Sequence, residues 1–139
     1  MNKPFILCAE DNENDVALMQ RVLNNKLPQI DYHFYDNVND CISFLDHSCD
    51  QRQLPILALV DIKLINSNGL DLLKYIKEDT RYHDIPVIML SSSARNDDKV
   101  RAEEWGCDDY FEKPKNYLEL KSTLPKIILD WVGEELIKN

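Results

Sequence analysis

Short apolar runs alternate along the chain with longer segments in which apolar residues recur every three or four positions. The runs are FILCA (5–9), DYHFY (31–35), ILALVD (56–61), PVIML (86–90) and DYFEK (109–113). The intervening segments are DVALMQRVLNNKL, NDCISFLDH, GLDLLKYIKE and DDKVRAEEW, and NYLELKSTLPKIILDWVGEELI follows the last run. This pattern predicts five strands and five helices in strict alternation. Residues 56–60 and 87–90 are apolar at every position, as in strands buried on both faces of a parallel sheet. Helices must then cover both faces, and right-handed crossovers give a doubly wound α/β sandwich.

Helical spacing places Val16, Met19, Leu23 and Leu27 on one buried stripe and Tyr117, Leu120, Leu124, Ile127 and Trp131 on another. Asn14 or Asp15 is expected to cap the first helix and Asn116 the last, with Pro125 kinking or dividing the latter. Gly106 should stop the fourth helix, and residues 47–55 read as a surface loop. No linker or repeat divides the 139 residues, so residues 1–139 are expected to form a single domain with no separate output domain.

Charge narrows the function. Sixteen basic against 25 acidic residues leave a net −9, which argues against direct binding of nucleic acid, a task for clustered Lys and Arg. No apolar run approaches the roughly 20 residues that span a bilayer, and the N-terminal stretch turns acidic too soon for a signal peptide. No membrane insertion and a cytoplasmic location are therefore expected. Cys8, Cys41, Cys49 and Cys107 are scattered without metal or redox spacing and read as reduced, mostly buried thiols.

In a sheet of this kind ligands bind beyond the C-terminal ends of the strands. Glu10 and Asp11 end the first predicted strand, Asp61 the third, Ser91 the fourth and Lys113 the fifth. Three carboxylates at one mouth repel unless a hard divalent cation such as Mg²⁺ holds them together. Glu13 and Asp15 fall at a helix start, where the dipole favours negative charge, and are not assigned as ligands. A calcium-binding loop starting at Asp11 fails, because Val16 and Val22 stand where glycine and the closing glutamate are required.

With these residues in this order, the chain resembles the CheY-like receiver domains of two-component response regulators. The likeness runs from ILCAEDN through LALVDIKLINSNGLDLL and DIPVIMLSSS to GCDDYFEKP. It implies a (βα)5 flavodoxin-like fold with a five-stranded parallel sheet in the order 2-1-3-4-5. It also implies that Asp61 is the phosphoacceptor, that Asp11 and Asp61 bind Mg²⁺, with Mn²⁺ as an alternative, and that Glu10 contributes directly or through water. The backbone carbonyl of Lys63 would complete the protein ligands, and Ser91 and Lys113 would contact the phosphoryl oxygens. Ser91 and Tyr110 would form the switch, Gly69 would supply a backbone shape other residues resist, and Pro114 would follow a cis peptide.

The resemblance further implies phosphorelay signalling: a histidine kinase or phosphotransfer protein as donor, a downstream protein target, and catalysis limited to the domain's own phosphorylation and dephosphorylation. The surface pattern does not decide homodimerisation. Ile65 stands where many relatives have proline, suggesting a less rigid loop, while Lys63 and Ser93 are placed to alter phosphate lifetime. Two other functions remain to be weighed: a pseudo-receiver that binds without phosphorylation, and a Mg²⁺-dependent phosphatase. The first is disfavoured by the intact residue set, and the second by the lack of a carboxylate two positions after Asp61.

Overall fold

The computed structural model describes residues 3–92 and 96–137. Its central sheet contains β1 (Phe5–Ala9), β2 (Asp31–Tyr35), β3 (Leu57–Asp61), β6 (Val87–Ser91) and β7 (Asp109–Glu112), all parallel, in the order β2-β1-β3-β6-β7. Two further strands, β4 (Lys63–Leu64) and β5 (Ser67–Asn68), make an antiparallel hairpin directly after β3. Counted by sheet strands alone, this is the 2-1-3-4-5 order the resemblance implies. The helices are α1 (Glu13–Lys26), α2 (Val38–Asp50), α3 (Gly69–Glu78), α4 (Asn96–Glu104) and α5 (Tyr117–Ile137).

The unbroken apolar runs are explained by two cores, one on each face of the sheet. Successive strand residues point to opposite faces. Thus Ile6, Cys8, Leu57, Leu59, Ile88 and Leu90 join Met19 and Leu23 of α1 and Leu124 and Ile128 of α5 in one core. Leu7, Ala9, Ala58, Val60, Val87 and Met89 join residues of α2, α3 and α4 in the other. Both β3 and β6 are buried at every position, so a polar side chain at their ends sits at the rim of a dry interior.

Strand register brings those ends together. Ala9 lies opposite Val60, Asp61 opposite Leu90, and Ser91 opposite Glu112. The pairing continues past the strands, with Ile62 N–H donating to Leu90 O at 3.1 Å and Lys113 N–H to Ser91 O at 2.7 Å.

Several local expectations are corrected. The cap of α1 is Asn12, not Asn14 or Asp15: its backbone is extended and its side chain accepts from Asp15 N–H, so the helix begins at Glu13. Helix α2 runs through Asp50, into the expected loop, and carries Ser48 in a buried position because its hydroxyl donates to Phe44 O at 2.8 Å. Helix α5 is not divided at Pro125. Beyond the proline its buried face continues through Ile128 and Val132, leaving Trp131 39% exposed with its indole N–H donating to Asp109. Asn116 caps α5 as expected, accepting from Glu119 N–H, and Gly106 ends the α4 segment at φ +88°.

No peptide bond among the described residues is cis, so Pro114 follows a trans bond, contrary to the expectation. The trans form is the lower-energy isomer of an X–Pro bond, by about 0.5–1 kcal/mol.

Candidate functional site

Four buried or half-buried polar side chains meet at the C-terminal edge of the sheet. Glu10 follows β1, Asp61 and Ser91 end β3 and β6, and Lys113 follows β7. Glu10, Asp61 and Ser91 are each less than 5% exposed. Chain topology alone forces this meeting, since parallel strands in register end at one edge.

The Lys113 ammonium binds three carboxylates at once: Glu10, Asp61 Oδ2 at 2.8 Å and Asp15 Oδ2 at 2.8 Å. Burial alone disfavours the ammonium, but the hydrogen bonds to Asp15, Asp61 and Glu10 outweigh it and hold Lys113 above the ordinary lysine range. Glu10 moves the other way for a carboxylate. Burial pushes it up to about 7, even though its hydrogen bond to Lys113 opposes the rise.

One carboxylate oxygen from each of Glu10, Asp11 and Asp61 lies within 4.8 Å of the others. Together with Asp15 these residues set four carboxylates against one ammonium. The donor set is all oxygen and anionic, which fits a hard divalent cation and gives a soft metal no ligand. Asp11, Asp61, Lys63, Ser92, Glu112 and Lys113 line a polar cleft of about 440 Å³ open at this edge.

The segment after Asp61 holds the site from below. Lys63 N–H donates to Asp61 Oδ1 at 3.2 Å. The hairpin is tied down rather than loose: Ile65 N–H donates to Asp36 O at 2.9 Å, a bond that a proline there could not make. Ser67 Oγ adds a second tie, accepting from Val38 N–H. Gly69 is required for a reason different from the one expected. Its φ is not in the left-handed region, but a Cβ there would stand 2.0 Å from the carbonyl oxygen of Asp61. Space beside the Asp61 carbonyl, not backbone shape, excludes a side chain.

Tyr110 lies on β7 beside Met89 of β6 and packs against the core that contains α3 and α4. Its hydroxyl is buried with no hydrogen-bond partner among the described residues. Ser93, expected to tune phosphate lifetime, lies outside the described residues.

Asp15 is the Lys113 partner that sequence reasoning missed. It stands four positions after Asp11 in the first turn of α1, and that closeness in sequence to Glu10 and Asp11 was the available signal. Assigning it to the helix dipole alone overlooked that the first turn of α1 faces Lys113.

The model of the family described as "Response regulator receiver domain" matches residues 6–124, a span that takes in every one of these site residues. The chain belongs to this family. Among relatives of the receiver, the "Probable methanogenesis regulatory protein FilR2" of Methanothrix harundinacea is 30% identical over 132 residues, 94% of this chain and 85% of that one. The "Polar-differentiation response regulator DivK" of Brucella anthropi is 30% identical over 78% of this chain and 83% of its own. A PhoB transcriptional regulator of Shigella flexneri is 36% identical over 87 residues, only 38% of its length.

Solved structures agree. The phosphorylated cyanobacterial phytochrome response regulator RcpA superposes with TM-score 0.87 at 25% identity, covering 96% of both chains. The Mn(2+)-bound form of response regulator Rcp1 gives 0.81 at 26% identity, over 92% of this chain and 94% of that one. The receiver is therefore a module of two-component signalling, and response regulators interact with kinases and downstream targets. No helix among its described residues is long and apolar enough to cross a membrane.

Proposed function

We propose that the receiver accepts a phosphoryl group on Asp61 in a divalent-cation-dependent reaction and signals through protein contacts. The observation that carries this reading is the convergence of Glu10 and Asp11 on Asp61 while Lys113 bonds the Asp61 carboxylate at 2.8 Å. Asp61 supplies the nucleophile: one Oδ–P bond forms as the donor's bond to phosphorus breaks, and the leaving group departs with its electron pair. Lys113 sits beside the attacking oxygen and offers an N–H to a phosphoryl oxygen, and Ser91 at the neighbouring strand end is positioned to do the same. Glu10, Asp11, Asp61 and the Lys63 carbonyl would hold Mg²⁺ or Mn²⁺, which when bound neutralises charge between the donor and the acidic mouth.

Ser91 and Tyr110 provide the switch. A buried hydroxyl without a partner costs about 1–3 kcal/mol, so packing alone holds the Tyr110 ring inward. Small changes at Ser91 can then bias its position, and with it the surface of α4, β7 and α5. A histidine kinase or phosphotransfer protein is the proposed donor, and a protein is the proposed target.

Incubation with a small phosphodonor and Mg²⁺, followed by intact mass measurement, tests the acceptor. One phosphate per chain is expected in the wild type and none in Asp61→Asn; equal incorporation in the variant overturns the assignment.

A further inference from the structure

An ammonium has three N–H donors, and Lys113 spends all of them on carboxylates. Two of these partners, Glu10 and Asp61, belong with Asp11 to the oxygen cluster suited to a cation. The third, Asp15, does not. Its place is fixed from within α1: its backbone N–H donates to Asn12 Oδ1 at 3.0 Å, and Asn12 N–H in turn donates to Glu10 Oε2 at 3.1 Å. The same cap that starts the helix therefore holds a third carboxylate, from α1, against Lys113.

We infer that Asp15 is an internal competitor for Lys113, a positioning residue that holds the ammonium toward α1 and weakens its grip on a phosphoryl group at Asp61. This rests on the proposed role of Asp61. A phosphoryl oxygen needs an N–H from Lys113, and one of the three present contacts must give way. Forming the acyl phosphate removes the negative charge of the Asp61 carboxylate itself, and Glu10 is a member of the cation cluster. Asp15 has neither fate. It keeps its full charge, and its charge-assisted bond to Lys113 persists as a rival. Its side chain is 41% exposed, so water screens the contact and the competition is graded rather than all-or-none.

Beryllofluoride, a phosphoryl mimic, reads this directly when its binding is titrated at saturating Mg²⁺ by calorimetry. Asp15→Asn should bind it about two- to fivefold more tightly than wild type, the range of a part-exposed ion pair. The cap of α1 uses the backbone N–H of residue 15, so this variant retains its helix start. Asp15→Glu, which restores the charge, should return affinity toward wild type. Glu13→Gln removes a like charge two residues away that is not among the Lys113 partners, and should leave affinity unchanged.

An unchanged or weaker affinity in Asp15→Asn overturns the inference alone, as does an equal gain in Glu13→Gln, which would reveal only general charge relief. Failure of the wild type to bind beryllofluoride with Mg²⁺ overturns the reading of Asp61 and this inference with it. Mg²⁺ affinity without beryllofluoride gives an independent readout: Asp15→Asn should leave it within about twofold of wild type, because Asp15 lies outside the cation cluster.

Discussion

Two cations in this molecule each gather carboxylates, and they do different things. Arg81, after α3, bonds Asp79 at 2.9 Å and approaches Asp46 of α2 at 3.5 Å, while the hydroxyl of the wholly buried Tyr82 donates to Asp46 at 2.6 Å. Arg81 and Asp46 are about half exposed, at 48% and 46%. Lys113 is 15% exposed, and its partners Glu10 and Asp61 are at 2% and 5%. Around Arg81 two carboxylates share one guanidinium that is about half exposed to water. Around Lys113 three carboxylates take the three ammonium donors at the rim of two dry cores, and Asp11 adds a fourth negative charge beside them. The ingredients match; burial and the added charge make the first a brace between α2 and the loop after α3, and the second the place where we propose that a further cation and a phosphoryl group bind.

The contrast breaks most clearly on removal of each cation. Lys113→Ala leaves Glu10 and Asp61 buried without their counter-charge, and the metal-free protein should lose roughly 3–5 kcal/mol in urea unfolding at pH 8 with chelator present. Saturating Mg²⁺ should narrow that gap, because an ion bound only by the folded state stabilises it. A loss no larger than that of a surface pair would mean the Lys113 cluster is as well solvated as the Arg81 one.

A middle-sized effect is expected from pH. Glu10 sits at about 7 in the folded protein against an ordinary value of 4.5, chiefly through burial. A Mg²⁺ ligand must be ionised, so affinity should fall by up to about tenfold per unit as pH drops below 7, and binding there should release a proton. The sign for stability is opposite. The folded metal-free chain holds a proton that the unfolded chain has lost, so its stability should rise as pH falls from about 7 toward 4.5. Calorimetry in buffers of different ionisation enthalpy measures the proton release, and none at pH 6 would place Glu10 outside the binding event.

The smallest effect belongs to the exposed cluster. Arg81→Ala should lower stability far less than Lys113→Ala in the same urea assay and leave phosphate incorporation unchanged. A larger loss would show that the brace between α2 and the loop after α3 carries more than a surface pair does.

Much of this architecture was legible in the apolar pattern. Residues 56–60 and 87–90 read as doubly buried strands because each face of the sheet has its own core; the strands formed, 57–61 and 87–91, are buried throughout. The convergence of Glu10, Asp11, Asp61, Ser91 and Lys113 on one edge followed from parallel strands ending in register. Local chemistry was less legible. Asn12 took the cap that Asn14 or Asp15 was expected to provide, since several Asx residues in a row each offer an acceptor and only the path of the chain chooses one. The α5 stripe was displaced by one position beyond Pro125, because an exposed Trp131 bonded to Asp109 satisfies its polar atom better than burial would.

By itself the sequence determined the class of fold, the family and which strand ends carry charge, because period-two and helical patterns are properties of neighbouring residues. Only the tertiary structure decided that Asp15 reaches Lys113, 98 positions away, that Gly69 is demanded by the Asp61 carbonyl, and that Ile65 is tied by its N–H to Asp36. These are contacts between segments distant in the chain. Their existence depends on the separation and angle at which α1, the hairpin and β3 come to rest, quantities that no local pattern encodes.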